Sequence, residues 1–169
     1  MNSIEELAAE VRELRKRVKE LEDERAIREL LSRYSYHTDS CKDRELLNLF
    51  TDDAVYELGT EKPGIIRSEG REALWQFITN PEGHHNPEKY GRRMHVSDDS
   101  FVCHLNGDQA IVNSYSIVLV RDGDNIKIET AGNNEWLVVR ENGSWRVKAR
   151  RRKHIGGPGY IDNLGATPV

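Results

Sequence analysis

The sequence predicts an α+β fold in which a curved antiparallel sheet wraps around N-terminal helices and encloses a cavity, giving a cone. Helical periodicity dominates the first third of the chain, and no glycine or proline occurs before Gly59. From residue 94 onward, long segments rich in Ile, Val and Tyr are separated by Asn-Gly and Asp-Gly dipeptides, which are typical hairpin turns. Helices followed by a run of strands indicate the α+β class.

The composition limits the classes of partner. The chain has 169 residues, enough for one domain and an extension, and 32% charged residues with a net charge of −4. This balance does not indicate a nucleic-acid partner, and no apolar run approaches the ~20 residues needed to span a membrane. Two cysteines are too few for a disulfide framework, and the N-terminus lacks a signal-peptide pattern. We therefore expect a reduced, cytoplasmic protein with no membrane partner.

Residues 1–24 form a separate unit with a heptad pattern. β-Branched residues at the a positions alternate with leucine at the d positions: Ile4, Leu7, Val11, Leu14, Val18 and Leu21. One interpretation is an amphipathic helix lying on its own domain. Because this apolar seam is narrower than that of a core-facing helix, self-association is favoured, and we predict an oligomerisation arm in a homodimer or homotrimer.

Residues 25–156 are predicted to form the cone domain. At Arg25 the pattern widens to the stripe of a core-facing helix that ends near Asp39. The further predicted elements are a helix over 44–50 with Asp43 as its N-cap, a strand over 54–58, a loop and second short strand within 59–68, and a helix over 72–79.

The second half of this domain is predicted to be a meander of four strands. They span 94–105, 110–121, 126–140 and 145–155, and Asn106-Gly107 is the signal for a type I′ turn. Ser114 and Ser116 interrupt apolar strand residues, which favours a cavity over a solid core. Residues 157–169 lack periodicity and are predicted to be an irregular tail.

Three residues suggest acid–base chemistry. Tyr34 and Asp39 occupy the last turns of the core-facing helix, and His95 opens a strand. A carboxylate against an imidazole makes a general base, and a nearby phenol supplies a proton or a hydrogen bond. The alternatives are a half-buried tyrosine, a helix-capping aspartate and a structural strand histidine.

Several motifs resemble one superfamily. The resemblance is to the SnoaL-like branch of the nuclear transport factor 2-like superfamily. It rests on the runs Arg25–Tyr34 and Leu49–Tyr56 and on the later pair Met94-His95. This resemblance implies the cone fold, which hosts dehydratases, isomerases, cyclases and non-catalytic binders. Scytalone-dehydratase-like and bile-acid 7α-dehydratase-like enzymes are the most similar, and Tyr34, Asp39 and His95 match their Tyr, Asp and His. Near Val118, this chain has an apolar residue where the bile-acid enzymes have an acidic one.

The resemblance implies a cofactor-independent lyase that removes water from a hydrophobic, hydroxylated cyclic compound, with Tyr34, Asp39 and His95 as catalytic residues. Isomerases, cyclases, and binding or dimerisation modules remain alternatives. We predict no cofactor, because the sequence has no cofactor motif, and no metal site, because the adjacent His84 and His85 lack a partner at ligand spacing. The predicted substrate-binding residues are Tyr56, Tyr115, Asn133, Arg150 and His154, and the predicted apolar lining is Leu31, Trp75, Phe77, Ile117 and Val138. For the basic run from Arg150 to His154, a solvated strand end or anion contacts at a dimer edge are the alternatives.

Overall fold

The computed structural model describes residues 3–59, 65–81, 85, 91–97, 101–157 and 160. The helices are α1 (Ile4–Asp39), α2 (Asp43–Leu47) and α3 (Gly70–Ile78). The strands are β1 (Phe50–Gly59), β2 (Ile65–Glu69), β3 (Arg93–Ser97), β4 (Val102–Asn106), β5 (Gln109–Asp122), β6 (Asn125–Glu141) and β7 (Ser144–His154). Within these ranges, no helix has the length and apolar character needed to cross a membrane. The α+β class is confirmed.

The long helix α1 is continuous, but its first half is exposed and its second half is partly buried. Ser3 and Glu6 form a reciprocal capping box that starts the helix. The heptad side chains over residues 4–21 are exposed, including Ile4 at 86%. Burial begins at Asp23 and continues along the predicted stripe of Ile27, Leu30, Leu31, Tyr34 and Thr38. The second half of α1 therefore packs in the domain core, and the first half projects its apolar seam away from it.

The connection after α1 differs from its prediction. Helix α2 begins at Asp43, its N-cap is Lys42, and no side chain caps it, so the predicted N-cap role of Asp43 is wrong. The Asp43 carboxylate instead contacts His85 Nε2 at 2.9 Å. Phe50, predicted to end this helix, begins β1 and is 1% exposed. Because α2 has only five residues, β1 begins at Phe50 and is longer than the predicted strand over 54–58.

The sheet is curved, mixed and not closed. Its strand order is β2-β1-β7-β6-β5-β3, and β4 also pairs with β5. Strand β1 runs parallel to β7, so the prediction of a wholly antiparallel sheet is wrong at this one pairing. The predicted strand over 94–105 is two strands, β3 and β4, which pair with successive parts of β5.

The hairpin turns lie near the predicted dipeptides, but not every predicted turn type is confirmed. Asn106 pairs with Gln109, so the first loop is Gly107-Asp108, with a positive φ of 60° at Gly107. A positive φ at the first central residue alone is typical of a type II′ turn, and the predicted type I′ turn is wrong here. The loop Asn142-Gly143 has positive φ at both residues, 50° and 79°, as a type I′ turn requires.

The two faces of the sheet have different surroundings. Alternation along the strands turns one set of side chains towards α1 and α3, where residues such as Phe50, Val112 and Val147 form the core. The opposite, outer face exposes a set of apolar side chains: Met94, Val96, Ile117, Ile126 and Ile128. The inner face therefore contains the core at one end of the sheet and, as described next, a cavity at the other.

Candidate active site

A cavity of about 380 Å³ lies between the inner face of the sheet and the helices. Its wall combines two aromatic hydroxyls, several apolar side chains and a large share of charged groups. The lining residues are Tyr34, Tyr56, Leu58, Ile66, Phe77, Asn80, Arg93, His95, Val118, Glu129, Thr130, Arg150 and Arg152. This volume is within the range of small-molecule sites.

Asp39 and His95 form a two-point contact in the wall of this cavity. The C-terminal part of α1 packs against β3, which brings the last helical residue to the centre of that strand. Asp39 Oδ1 lies 2.5 Å from His95 Nδ1, and Asp39 Oδ2 accepts a 2.9 Å hydrogen bond from the His95 backbone N–H. The His95 side chain is 14% exposed and the Asp39 side chain 22%. Both the position and the plane of the imidazole are therefore restrained.

This contact determines the tautomer of the imidazole. A carboxylate only accepts hydrogen bonds, so the bond to Asp39 places a proton on Nδ1 of His95. In the neutral ring, Nε2 then carries the lone pair. Since His95 lines the cavity, this arrangement makes it suited to receive a proton from a bound molecule.

Tyr34 and Tyr56 present a pair of hydroxyl groups held by one arginine. Arg150 Nη1 donates to the Tyr34 hydroxyl at 2.6 Å and also to the Tyr56 hydroxyl, and the two phenol oxygens are 3.5 Å apart. The other side of the guanidinium donates to Asn134 Oδ1 at 2.8 and 3.1 Å. Because both phenol oxygens accept from Arg150, their O–H groups are oriented to donate.

Burial raises the pKa of Tyr34 well above its ordinary value, although the Arg150 charge offsets part of this effect. The phenol therefore stays protonated at neutral pH. Its ring also packs edge-on against Trp136, at 5.2 Å between centroids, and against Phe50, at 6.1 Å. Tyr34 is thus a rigidly placed hydrogen-bond donor.

Arg152 is a second buried guanidinium in the cavity wall. Its Nε donates to Ser116 Oγ at 3.2 Å, and Nη1 donates to His154 Nε2 at 3.2 Å. The guanidinium nitrogens lie 3.4 and 3.5 Å from Thr130 Oγ1, which is also 2.9 Å from His154 Nδ1. Burial, and secondarily the charge of Arg150, lowers the pKa of Arg152 from its ordinary value.

An ion pair that the sequence did not predict also lines the cavity. Glu129 Oε1 accepts from Arg93 Nη2 at 2.7 Å. Thr130 pairs with Val118, but the next pair joins Leu119 to Ile128, so Glu129 is the extra residue of a β-bulge. A bulge changes the face to which a side chain points, which explains why strand alternation gives no signal for Glu129. It supplies a carboxylate near Val118, the position at which the resemblance implied that an acidic residue is replaced.

Two of the predicted substrate-binding residues do not reach the cavity. Tyr115 pairs with Asn133, and Asn133 with Lys153, so these side chains share the outer face of the sheet. Tyr115 is 41% exposed there, and Asn133 Nδ2 donates to the Tyr160 carbonyl at 2.9 Å. Their neighbours Ser114, Ser116 and Asn134 face inward, because side chains alternate along a strand.

The predicted apolar lining is corrected in the same way. Only Phe77 of that set lines the cavity. Leu31 and Val138 belong to the packed core, Trp75 packs against that core, and Ile117 is 37% exposed on the outer face. Tyr56 and Arg150 line the cavity as expected from their positions, and His154 contacts it through Arg152 and Thr130.

Among the described residues, no group of His, Cys, Asp or Glu side chains has the geometry of a metal site. His84 lies outside the described residues. His85 contacts Asp43, the first residue of α2, and it is not among the residues that line the cavity.

Comparisons with known proteins agree with this architecture. The family model described as SnoaL-like domain matches residues 19–151. An NTF2-like protein with a cystatin-like fold from Novosphingobium aromaticivorans is 24% identical with a TM-score of 0.79, over 98% of this chain and 99% of that one. A protein from Mycobacterium tuberculosis whose function is unknown is 24% identical with a TM-score of 0.68, over 80% and 73% of the two chains. At these identities, the likeness establishes the fold alone.

A third structure carries a provisional functional name. It is a protein from Novosphingobium aromaticivorans provisionally named a scytalone dehydratase, 25% identical with a TM-score of 0.67, over 80% of this chain and 85% of that one. No curated protein gives a significant match. The matched family, which spans most of the helices and the whole sheet up to β7, shows that this chain belongs to the SnoaL-like domain family, with an NTF2-like fold.

Proposed function

We propose that this protein is a cofactor-independent lyase that removes water from a hydroxylated cyclic small molecule by β-elimination. The observation that carries the proposal is the two-point contact of Asp39 with His95 in the wall of a cavity that also presents the Tyr34 hydroxyl. The similarity to a protein provisionally named scytalone dehydratase supports the same reaction class.

His95 acts as the general base. Its Nε2 removes a proton from a carbon next to a carbonyl, and the electron pair of the broken C–H bond moves into an enolate. Asp39 holds the ring in the required tautomer and stabilises the imidazolium that forms. The restraint from the backbone N–H keeps the carboxylate in place while the charge on the ring changes.

The tyrosine hydroxyls act on the carbonyl oxygen of the substrate, which becomes the enolate oxygen. One O–H of the Tyr34 and Tyr56 pair donates to the enolate oxygen, where negative charge develops. The C–O bond to the leaving hydroxyl then breaks as the carbon–carbon double bond forms. The departing hydroxide takes a proton from the His95 imidazolium and leaves as water, so the enzyme returns to its starting state.

Turnover of ring-containing β-hydroxyketones, including hydroxylated tetralones, tests this proposal. The product is a conjugated enone, which is followed by its absorbance and by the loss of one water in mass spectrometry. His95→Gln should lower kcat/KM by about 10²- to 10⁴-fold, the usual contribution of a general base. His104→Gln is the matched control, since His104 lies on β4 with an exposed side chain.

The outcomes separate the related reactions. A rearranged product that has taken up deuterium from D₂O without loss of water would indicate an isomerase with the same base. An unchanged rate of elimination in folded His95→Gln would contradict the proposal.

A further inference from the structure

The inner face of β7 carries two guanidinium groups that are almost fully buried. Arg150 is 4% exposed and Arg152 is 5% exposed. Among the described residues, neither one forms an ion pair with a carboxylate: their partners are hydroxyl, amide and imidazole groups. Buried charges in proteins are normally paired with an opposite charge, because removing them from water is unfavourable.

The other charges of the cavity do not balance this excess. Glu129 also faces the cavity, but it pairs with Arg93 at 2.7 Å. Asp39 contacts His95 at 2.5 Å, and because that imidazole is neutral the carboxylate contributes one negative charge, so Arg93, Arg150 and Arg152 face two carboxylates. The described lining therefore holds more positive than negative charge, and a bound anion would supply the missing partner.

The two arginines differ in how much of their bonding capacity is used. Arg150 makes hydrogen bonds of 2.6 to 3.1 Å and stacks near three aromatic rings, at 4.7 to 4.9 Å from their centroids. Arg152 makes bonds of 3.2 to 3.5 Å, and no shorter one, to the described residues. The weaker bonds around Arg152 are those that a charged acceptor would replace most readily.

The surroundings of Arg152 orient its planar fork. Ser116 holds Nε, and His154 accepts from Nη1, which requires a lone pair on His154 Nε2 and leaves Nδ1–H to donate to Thr130. Thr130 Oγ1 then accepts from His154 and Arg152, and its own O–H remains as a donor. A fixed guanidinium beside a hydroxyl donor is complementary to the two oxygens of a carboxylate.

We propose that the substrate carries a carboxylate, and that this group binds Arg152 and Thr130 on the β6–β7 side of the cavity. This inference deepens the proposed function and rests on it for the identity of the ligand as a substrate. It narrows the substrate class from a hydroxylated ring compound to a hydroxylated ring carboxylic acid.

The sheet register places this subsite away from the base. Thr130 pairs with Val118, and Val118 pairs with His95, so two strand spacings separate Thr130 from His95. Neighbouring strands lie about 4.8 Å apart, which puts the two backbones on the order of 10 Å from each other. The substrate carboxylate therefore contributes to binding, and it lies several bonds away from the carbon that loses its proton.

Calorimetric titration of matched acid and amide pairs tests the inference without turnover. The probes are benzoate, cyclohexanecarboxylate and 2-naphthoate, each compared with its neutral carboxamide of nearly the same shape. We expect at least one carboxylate to bind the wild-type protein tighter than its amide by about tenfold or more, as charge-assisted bonds to a buried guanidinium require.

Variants of Arg152 test whether this residue causes the preference for the acid over the amide. Arg152→Gln should abolish the preference for the acid, and Arg152→Lys should retain part of it, since the charge remains but the planar fork is lost. Arg151→Gln is the matched control, because the adjacent Arg151 lies on the outer face and pairs with Glu57 and Glu135. Circular dichroism verifies the fold of each variant, and if Arg152→Gln does not fold, the wild-type pairs and Arg152→Lys decide.

The inference is overturned if no carboxylate binds the wild-type protein tighter than its amide, or if the preference survives in folded Arg152→Gln. Its failure is distinct from that of the proposed function. Loss of acid selectivity with intact, His95-dependent elimination would refute only the carboxylate subsite. Acid selectivity with turnover that does not depend on His95 would refute only the lyase.

Discussion

Asp39→Asn should disable the base while leaving the fold almost intact. The amide oxygen of the new side chain can still accept from the His95 backbone N–H, as Asp39 Oδ2 does at 2.9 Å. The amide nitrogen then faces His95 Nδ1, where Asp39 Oδ1 now lies at 2.5 Å. Because this nitrogen is a donor, the imidazole must accept on Nδ1 and carry its proton on Nε2, the wrong position for a base.

The expected magnitudes follow from this reversal. The catalytic contribution of a general base is about 10²- to 10⁴-fold, and its loss corresponds to about 3–5 kcal/mol in the activation free energy. The free energy of unfolding should fall by only about 0.5–1.5 kcal/mol, since both hydrogen bonds are remade with neutral groups. Activity and stability should therefore separate clearly.

Long-range ¹⁵N correlation spectra of the imidazole rings provide an assay that needs no substrate. Wild-type His95 should show the Nδ1–H tautomer, and Asp39→Asn should show Nε2–H. The control is Asp43→Asn, which changes the other Asp–His contact, 2.9 Å from His85, outside the cavity lining. An unchanged His95 tautomer in Asp39→Asn, or equal losses of elimination in both variants, would refute the reasoning.

Further predictions concern assembly and stability. Deletion of residues 1–24 should lower the number of chains per particle, or the stability of the assembly, in size-exclusion chromatography with light scattering, and an unchanged number and stability would contradict an interface role. Gly132→Ala should lower the melting temperature through a loss of about 1–3 kcal/mol or more, because the new Cβ would lie 2.0 Å from the Lys153 carbonyl oxygen. Burial raises the pKa of Asp23, but bonds from neighbours including Arg140 more than offset this and lower it overall. Asp23 therefore stabilises the fold above about pH 4, and this contribution is lost as pH falls through the lower folded pKa. Asp23→Asn should make acid unfolding in urea less dependent on pH, and an unchanged slope would argue against the linkage.

We propose, from the charge pattern of the arm, that it pairs in parallel with a second copy. In the heptad register that places Ile4 at a, Glu10 and Arg17 are g positions, and Arg15 and Glu22 are e positions. A parallel, in-register coiled coil sets each g residue against the following e residue of its partner. Both contacts, Glu10 with Arg15 and Arg17 with Glu22, would join opposite charges. Arg17→Glu should therefore weaken the assembly, and it is a milder test than deletion.

Local sequence was sufficient to predict most elements. Helical periodicity predicted the buried stripe from Ile27 to Thr38, since one face of a helix recurs every three or four residues. Turn dipeptides predicted where β5, β6 and β7 meet, because only residues that tolerate positive φ fit such turns. The order of Tyr34, Asp39 and His95 indicated a site from resemblance alone.

Other features required the folded chain. The parallel pairing of β1 with β7 joins residues nearly a hundred positions apart, and no local pattern specifies such a partner. The bulge that turns Glu129 inward arises from a mismatch between two strands, so neither strand alone reveals it. The face of Tyr115 was also undecided, because a strand with polar residues on both faces does not show which side meets the cavity.

The sequence by itself therefore determined the elements, their order and the residue types available for acid–base chemistry. The tertiary structure alone decided which of these residues share one cavity. It joined the end of α1 to the middle of β3, which set Asp39 against His95, and it buried Arg150 and Arg152 without a carboxylate partner among the described residues. The physical reason is that periodicity records only local geometry, whereas charge balance in a cavity depends on strand register and curvature over the whole sheet.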